Sequence, residues 1–192
     1  LAQENRDAAS TFLIITSDRG LREYLDEPGA ESVYASINSI AAAKRSAGYD
    51  VYIYVPDSAG RSTGGFPPIE NGLTSRALRD ALDEIEEEAV SSGRLDYVLI
   101  VGDGDVVPYW YLENPAADSD REFPTDVPYA VRGESGEDED FLLPDRAVAR
   151  IPLGAGPDGG LVSYLEAFAS DRWRGPGCDA HFGLAALQWK ME

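Results

Sequence analysis

Histidine and cysteine are almost missing from this chain: His181 and Cys178 are the single examples of each. One cysteine excludes an internal disulfide framework, and one histidine excludes a His-rich metal site within the chain. Lysine occurs only at Lys44 and Lys190, so nearly all of the 16 basic residues are arginine, set against 35 acidic ones. The net charge of −19 repels nucleic-acid backbones and anionic membrane surfaces, and neither is expected as a partner. Such a Lys-poor, acid-rich surface fits a halophile or a GC-rich genome, and fits an ordinary acidic protein equally. Long hydrophobic runs are also missing. Phe12-Leu13-Ile14-Ile15 and Tyr97-Val98-Leu99-Ile100-Val101 fall far short of the roughly 20 apolar residues that a bilayer requires, so no membrane insertion is expected. The polar start, Leu1 to Asp7, has neither an initiating Met nor the pattern of a signal peptide, which reads as a processed or excised chain.

What is present is a strand–helix alternation. Thr11–Thr16 is a β-branched apolar run that reads as a strand, followed by a loop at Ser17-Asp18-Arg19-Gly20. Glu31–Ala47 carries Val33, Tyr34, Ile37, Ile40 and Ala41 at helical spacing, and Gly48 stops it. Tyr49–Val55 reads as a second strand, and the Gly-, Pro- and Ser-rich stretch Ser58–Asn71 as a loop long enough to be functional. Thr74 caps a further helix whose stripe is Leu78, Leu82, Ile85 and Ala89, with the acidic run Asp83–Glu88 taken as its solvated face. Tyr97–Val101 is almost continuously apolar, as a strand covered on both faces should be. This order predicts an α/β fold, a three-layer sandwich around a mainly parallel sheet with right-handed crossovers. Beyond it, Tyr109–Pro128 reads as an irregular connection, and Tyr129–Val131 with Phe141–Leu143 as a hairpin excursion around an acidic tip. Ala147–Ile151 is a strand, about Leu161 to Trp173 a helix, and Phe182–Lys190 a last segment. A boundary is expected at Gly175-Pro176-Gly177, dividing an α/β subdomain over 1–174 from the start of a following one over 175–192.

Several residues could carry chemistry. Gly102-Asp103-Gly104-Asp105 follows the third strand at the edge where open α/β sheets bind ligands. Asp103 and Asp105 suit a hard cation such as calcium, but a tight turn uses the same residues for their conformational tolerance, and the turn is the favoured reading. The glycines at Gly64-Gly65 and Gly154–Gly160 lack any phosphate-loop signature and read as ordinary loops. Cys178 and His181 could form a thiolate–imidazole pair; a packed cysteine beside a surface histidine is the favoured alternative. Tyr109-Trp110-Tyr111 could line a pocket or cap the core.

Three segments, in order and in register, resemble one family. Leu95–Asp103 with Val107-Pro108 is similar to an apolar strand closed by Gly-Asp and then Ile/Val-Pro. Thr125-Asp126-Val127-Pro128-Tyr129-Ala130 is similar to a Ser/Thr-Asp-x-x-Tyr-Ala segment, and Leu143–Pro152 to a Pro-Asp-x-x-Val-Gly-Arg-Ile/Phe-Pro stretch with Ala149 in place of the glycine. Together they resemble the front half of peptidase family C25, the gingipain-type, caspase-like cysteine endopeptidases, over roughly residues 10–190.

That resemblance implies a caspase/gingipain-like sheet of flavodoxin-like topology, a protein or peptide substrate, an extracellular or cell-surface location, and a partner subdomain bearing the catalytic His and Cys. The family's Gly-His-Gly turn does not occur here, and Cys178 precedes His181, the reverse of the family order. The catalytic pair is therefore expected downstream of Glu192, no catalytic residue is assigned within this chain, and the chain alone is expected to be inactive. In arginine-specific members the Asp that Asp126 matches lies at the base of the pocket for the residue before the cut, which makes Asp126 the substrate-binding candidate; an Asp capping its own turn is the alternative. Calcium often accompanies the family, so Asp118–Asp120 or Glu134–Asp140 could bind it, with solvated acid as the plainer reading. A non-catalytic binding module on the same fold is the second functional reading. An unrelated flavodoxin-like domain is a third, for which no cofactor fingerprint is found.

Overall fold

The run Thr11–Ile15 forms strand β1 with every side chain buried, and Asp50–Tyr54 forms β2. Continuous rather than alternating burial is what a parallel strand covered on both faces requires. The structure, a computed structural model, describes residues 9–89, 94–114, 120–132, 144–152 and 160–169. Tyr97–Val101 forms β3, a hairpin follows with β4 at Trp110–Glu113 and β5 at Glu122–Thr125, and Ala147–Ile151 forms β6. The main sheet has the order β2-β1-β3-β6, all parallel, with Ile14 opposite both Ile53 and Leu99. Among the described residues no helix is long and apolar enough to cross a membrane.

Four helices flank the sheet: α1 at Asp18–Tyr24, α2 at Glu27–Ser46, α3 at Ser75–Glu84 and α4 at Gly160–Ala169. The connections β1-to-β2 and β2-to-β3 run in opposite directions along the sheet. Right-handed crossovers therefore send α2 and α3 to opposite faces, which makes the expected three-layer sandwich. On its face, Lys44 of α2 lies 5.3 Å from the Phe12 ring, and α4 packs against α2. Thr74 caps α3 as expected, accepting from the Ala77 amide, and Leu78, Leu82 and Ile85 are buried.

Three local expectations change. The segment from Ser17, read as a loop, starts α1 at Asp18, because the Ser17 hydroxyl accepts from the Gly20 amide and Leu21 turns into the core. The next helix begins before Glu31, since Asp26 caps it and Pro28 fits its first turn. The hairpin lies earlier than expected. Trp110 pairs with Thr125 and Glu113 with Glu122, whereas Val127–Ala130, which overlaps the expected strand at Tyr129 and Ala130, is a 3-10 turn that Pro128 helps to start and in which Tyr129 is fully buried. Phe141–Leu143, residues 170–192 and the subdomain boundary lie outside the described residues.

The acidic run after α3 is not wholly solvated. A π-helical turn over Ile85–Ala89 brings Glu86 inward, where it is 4% exposed. It receives Arg146 Nη1 at 3.1 Å, the Leu95 amide at 2.5 Å, and the Arg132 guanidinium. Arg146 also meets Asp83 at 2.6 Å and the Tyr129 carbonyl at 2.9 Å. This buried network ties α3 to the entry of β6. Breaking a buried charge pair by removing one partner costs about 3–5 kcal/mol, because the remaining charge is left uncompensated. Arg146→Ala should fall toward the lower end of that range, since Arg132 still serves Glu86. Urea unfolding of the variant beside the wild type measures the loss; an unchanged midpoint would show the network to be dispensable.

Candidate functional site

β1 sends its crossover to one side of itself and pairs with β3 on the other, so the chain diverges at the carboxyl ends of these two strands. That reversal is where open α/β sheets form their binding crevice. A cleft of about 190 Å³ opens there, lined by Ser17 and Arg19 after β1, Asp57 after β2, Ile69 and Glu70 from the long loop with Gly72 and Leu73 just beyond it, and Gly104, Asp105, Val106 and Pro108 after β3. The loop singled out for its length thus forms one wall.

The floor is built by close backbone approach. Asp57 accepts from the Ser17 hydroxyl at 2.8 Å, the Asp18 amide at 2.9 Å and the Arg19 amide at 2.8 Å, which locks the loop after β2 to the start of α1. A Cβ on Gly20 would stand 2.6 Å from the Val106 Cα, so α1 can reach the β3 loop only with glycine there. Gly102 leaves β3 with φ +117° and has the Val106 side chain against it, a conformation and a space that admit glycine alone.

Asp103 and Asp105 form the turn favoured from the sequence. The amides of Val106 and Val107 both donate to the Asp103 carbonyl, at 3.1 and 2.9 Å. Asp105 accepts from the Tyr24 hydroxyl, while Asp103 Oδ1 is buried with no hydrogen-bond partner among the described residues. Among the described residues no three His, Cys, Asp or Glu side chains gather as a metal site. Asp118-Ser119, Glu134–Asp140, Cys178 and His181 lie outside the described residues.

Asp126 precedes the 3-10 turn but caps nothing with its side chain; the Thr125 hydroxyl takes the Val127 amide instead, at 3.1 Å. The turn-capping alternative is therefore set aside. Both carboxylate oxygens are held by Arg150, from Nε to Oδ2 at 2.9 Å and from Nη2 to Oδ1 at 2.6 Å. The same guanidinium donates through Nη1 to the Gly102 carbonyl at 2.8 Å and the Val107 carbonyl at 2.7 Å. It also stacks 4.1 Å from the Tyr109 ring centre. Of the aromatic trio, Tyr109 thus packs on Arg150, Trp110 is half-buried and Tyr111 points outward, 59% exposed.

Sequence reasoning missed Arg150 and Asp57 as organisers of this edge. For Arg150 a signal existed: a charged residue inside an otherwise apolar strand needs a buried partner. Asp57 offered none, since an Asp after Pro56 looks like any turn.

The model described as peptidase family C25 matches residues 5–155, a span that holds the whole sheet and the cleft. No curated protein and no solved structure matches the chain.

The start of α1 carries a charge cluster. Burial would raise the Asp18 carboxyl, but hydrogen bonds from Arg22 and Tyr34 and the charges of Arg22 and Arg61 outweigh it and hold the group below its usual range. The Tyr34 hydroxyl is driven far up by burial and by that same bond. A carboxyl depressed in the folded state adds stability above its unfolded value and loses it as the pH falls through the folded value. Asp18→Asn should therefore be less stable than the wild type at neutral pH by about 1–2 kcal/mol. The gap should close as the pH falls from about 5 to about 2. Unfolding curves across that range check it; a gap independent of pH would contradict the charge assignment.

Proposed function

The chain belongs to peptidase family C25, and from that membership we propose that it forms the front, substrate-side part of a gingipain-type cysteine endopeptidase with a caspase-like fold. In this reading residues 1–174 are an α/β subdomain that supplies scaffold and one wall of the substrate cleft. A following catalytic subdomain, beginning at about residue 175, supplies the His and Cys. The single observation that carries the reading is a cleft at the β1/β3 divergence lying inside the span that the family model matches. A protein or peptide is the proposed substrate, and an extracellular or cell-surface location is the proposed setting. Asp126 is the proposed substrate-side carboxylate, acting as half of its pair with Arg150.

The acidic surface agrees with a partner that is neither nucleic acid nor membrane. Chemistry at the cleft would need a nucleophile and a base that the described residues do not bring together there. The lining offers one hydroxyl, Ser17, which is already engaged as donor to Asp57 and as cap of α1. Purified residues 1–192 should show no turnover of arginyl, lysyl or neutral peptide amides, whereas the protein with its catalytic subdomain should cleave peptides. Turnover by the 192-residue chain that disappears in Cys178→Ala would instead place the active pair at Cys178 and His181. A thiol-dependent activity absent from both would leave the non-catalytic binding module as the better account.

A further inference from the structure

Arg150 is saturated. A guanidinium has five N–H donors. Here Nε and one Nη2 donor take the two oxygens of Asp126, the Nη1 pair takes the carbonyls of Gly102 and Val107, and the remaining Nη2 donor faces the Pro108 carbonyl at 3.5 Å. Its positive face lies on the Tyr109 ring, and its side chain is 7% exposed against 20% for Asp126. Bidentate carboxylate, convergent carbonyls and an aromatic platform are the three means by which proteins recognise a guanidinium. A lysine could not replace it, having three donors on a point charge and no planar fork.

We infer that Asp126, the Gly102 and Val107 carbonyls and the Tyr109 ring form a complete guanidinium receptor whose resident occupant is the chain's own Arg150. Arg150 is a positioning residue. By bridging Gly102 and Val107 across the turn it holds the β3 rim of the cleft, and by gripping both oxygens of Asp126 it fixes that carboxylate beside the rim. The receptor and its occupant stand independently of the peptidase reading.

Thermal unfolding is followed with methylguanidinium as the probe and its neutral shape-mimic methylurea as the control, because a ligand bound only by the folded state raises the melting temperature with concentration. In the wild type the two compounds should act alike. Arg150→Ala should melt several degrees lower than the wild type, and methylguanidinium, unlike methylurea, should restore much of the loss; Arg150→Ala with Asp126→Asn should not respond. Arg150→Gln, which keeps donors for the two carbonyls, provides the same comparison if the alanine variant does not fold. A methylguanidinium shift in the wild type that Asp126→Asn abolishes would overturn the inference, because the receptor would then be open. Folded Arg150 variants that ignore methylguanidinium would overturn it too.

Discussion

The way the chain leaves β3 is the constraint on which the carboxyl edge of the sheet depends. Gly102 turns out of the strand at φ +117° with the Val106 side chain packed against it. Gly20 lets α1 press on the same loop from one side, and Arg150 fastens it from the other by taking the carbonyls at both ends of the turn. Contacts from α1, β3 and β6 thus meet on one short loop. Such convergence matches a rim that must be rigid before a ligand arrives, because ordering a loop on binding would cost affinity.

The stretch around β6 explains how so acidic a chain holds itself together. Arg146 and Arg150 are four residues apart, which in an extended segment directs both side chains to the same side. That side faces α3 and the 126–131 segment, and each arginine finds its acids there: Asp83 and Glu86 for the first, Asp126 for the second. Both arginines are nearly excluded from solvent. Arginine suits these places because its planar fork fits a carboxylate and several carbonyls at once, and because it is less strongly hydrated than an ammonium. The scarcity of lysine in the sequence is consistent with cations used as internal cross-links.

The main sheet and every flanking helix but α1 were legible in the sequence because burial leaves a period. Continuous apolar runs at Thr11–Ile15 and Tyr97–Val101 gave strands, and the stripe through Leu78, Leu82 and Ile85 gave α3. The segment from Trp110 to Thr125 was not legible as a hairpin. Its second strand contains Pro124 and its exposed positions lack a buried face, so neither alternation nor composition marks it. Glu86 looked solvated because its neighbours are acids, and only the π turn rotates it inward. Asp126 was singled out as a substrate-binding candidate, and its partner in the fold lies 24 positions away on β6, a pairing that no local pattern records.

The account stands on the cleft beside the β3 turn being the surface that meets peptide. Backbone amide chemical shifts of the isotopically labelled chain, followed during titration with a mixture of short neutral peptides, test this most directly. The account predicts perturbations gathered at Gly72, Leu73, Gly104, Asp105 and Val106, on the two walls of the cleft. Perturbations confined to the β4–β5 hairpin, or none at all at saturating peptide, would contradict it.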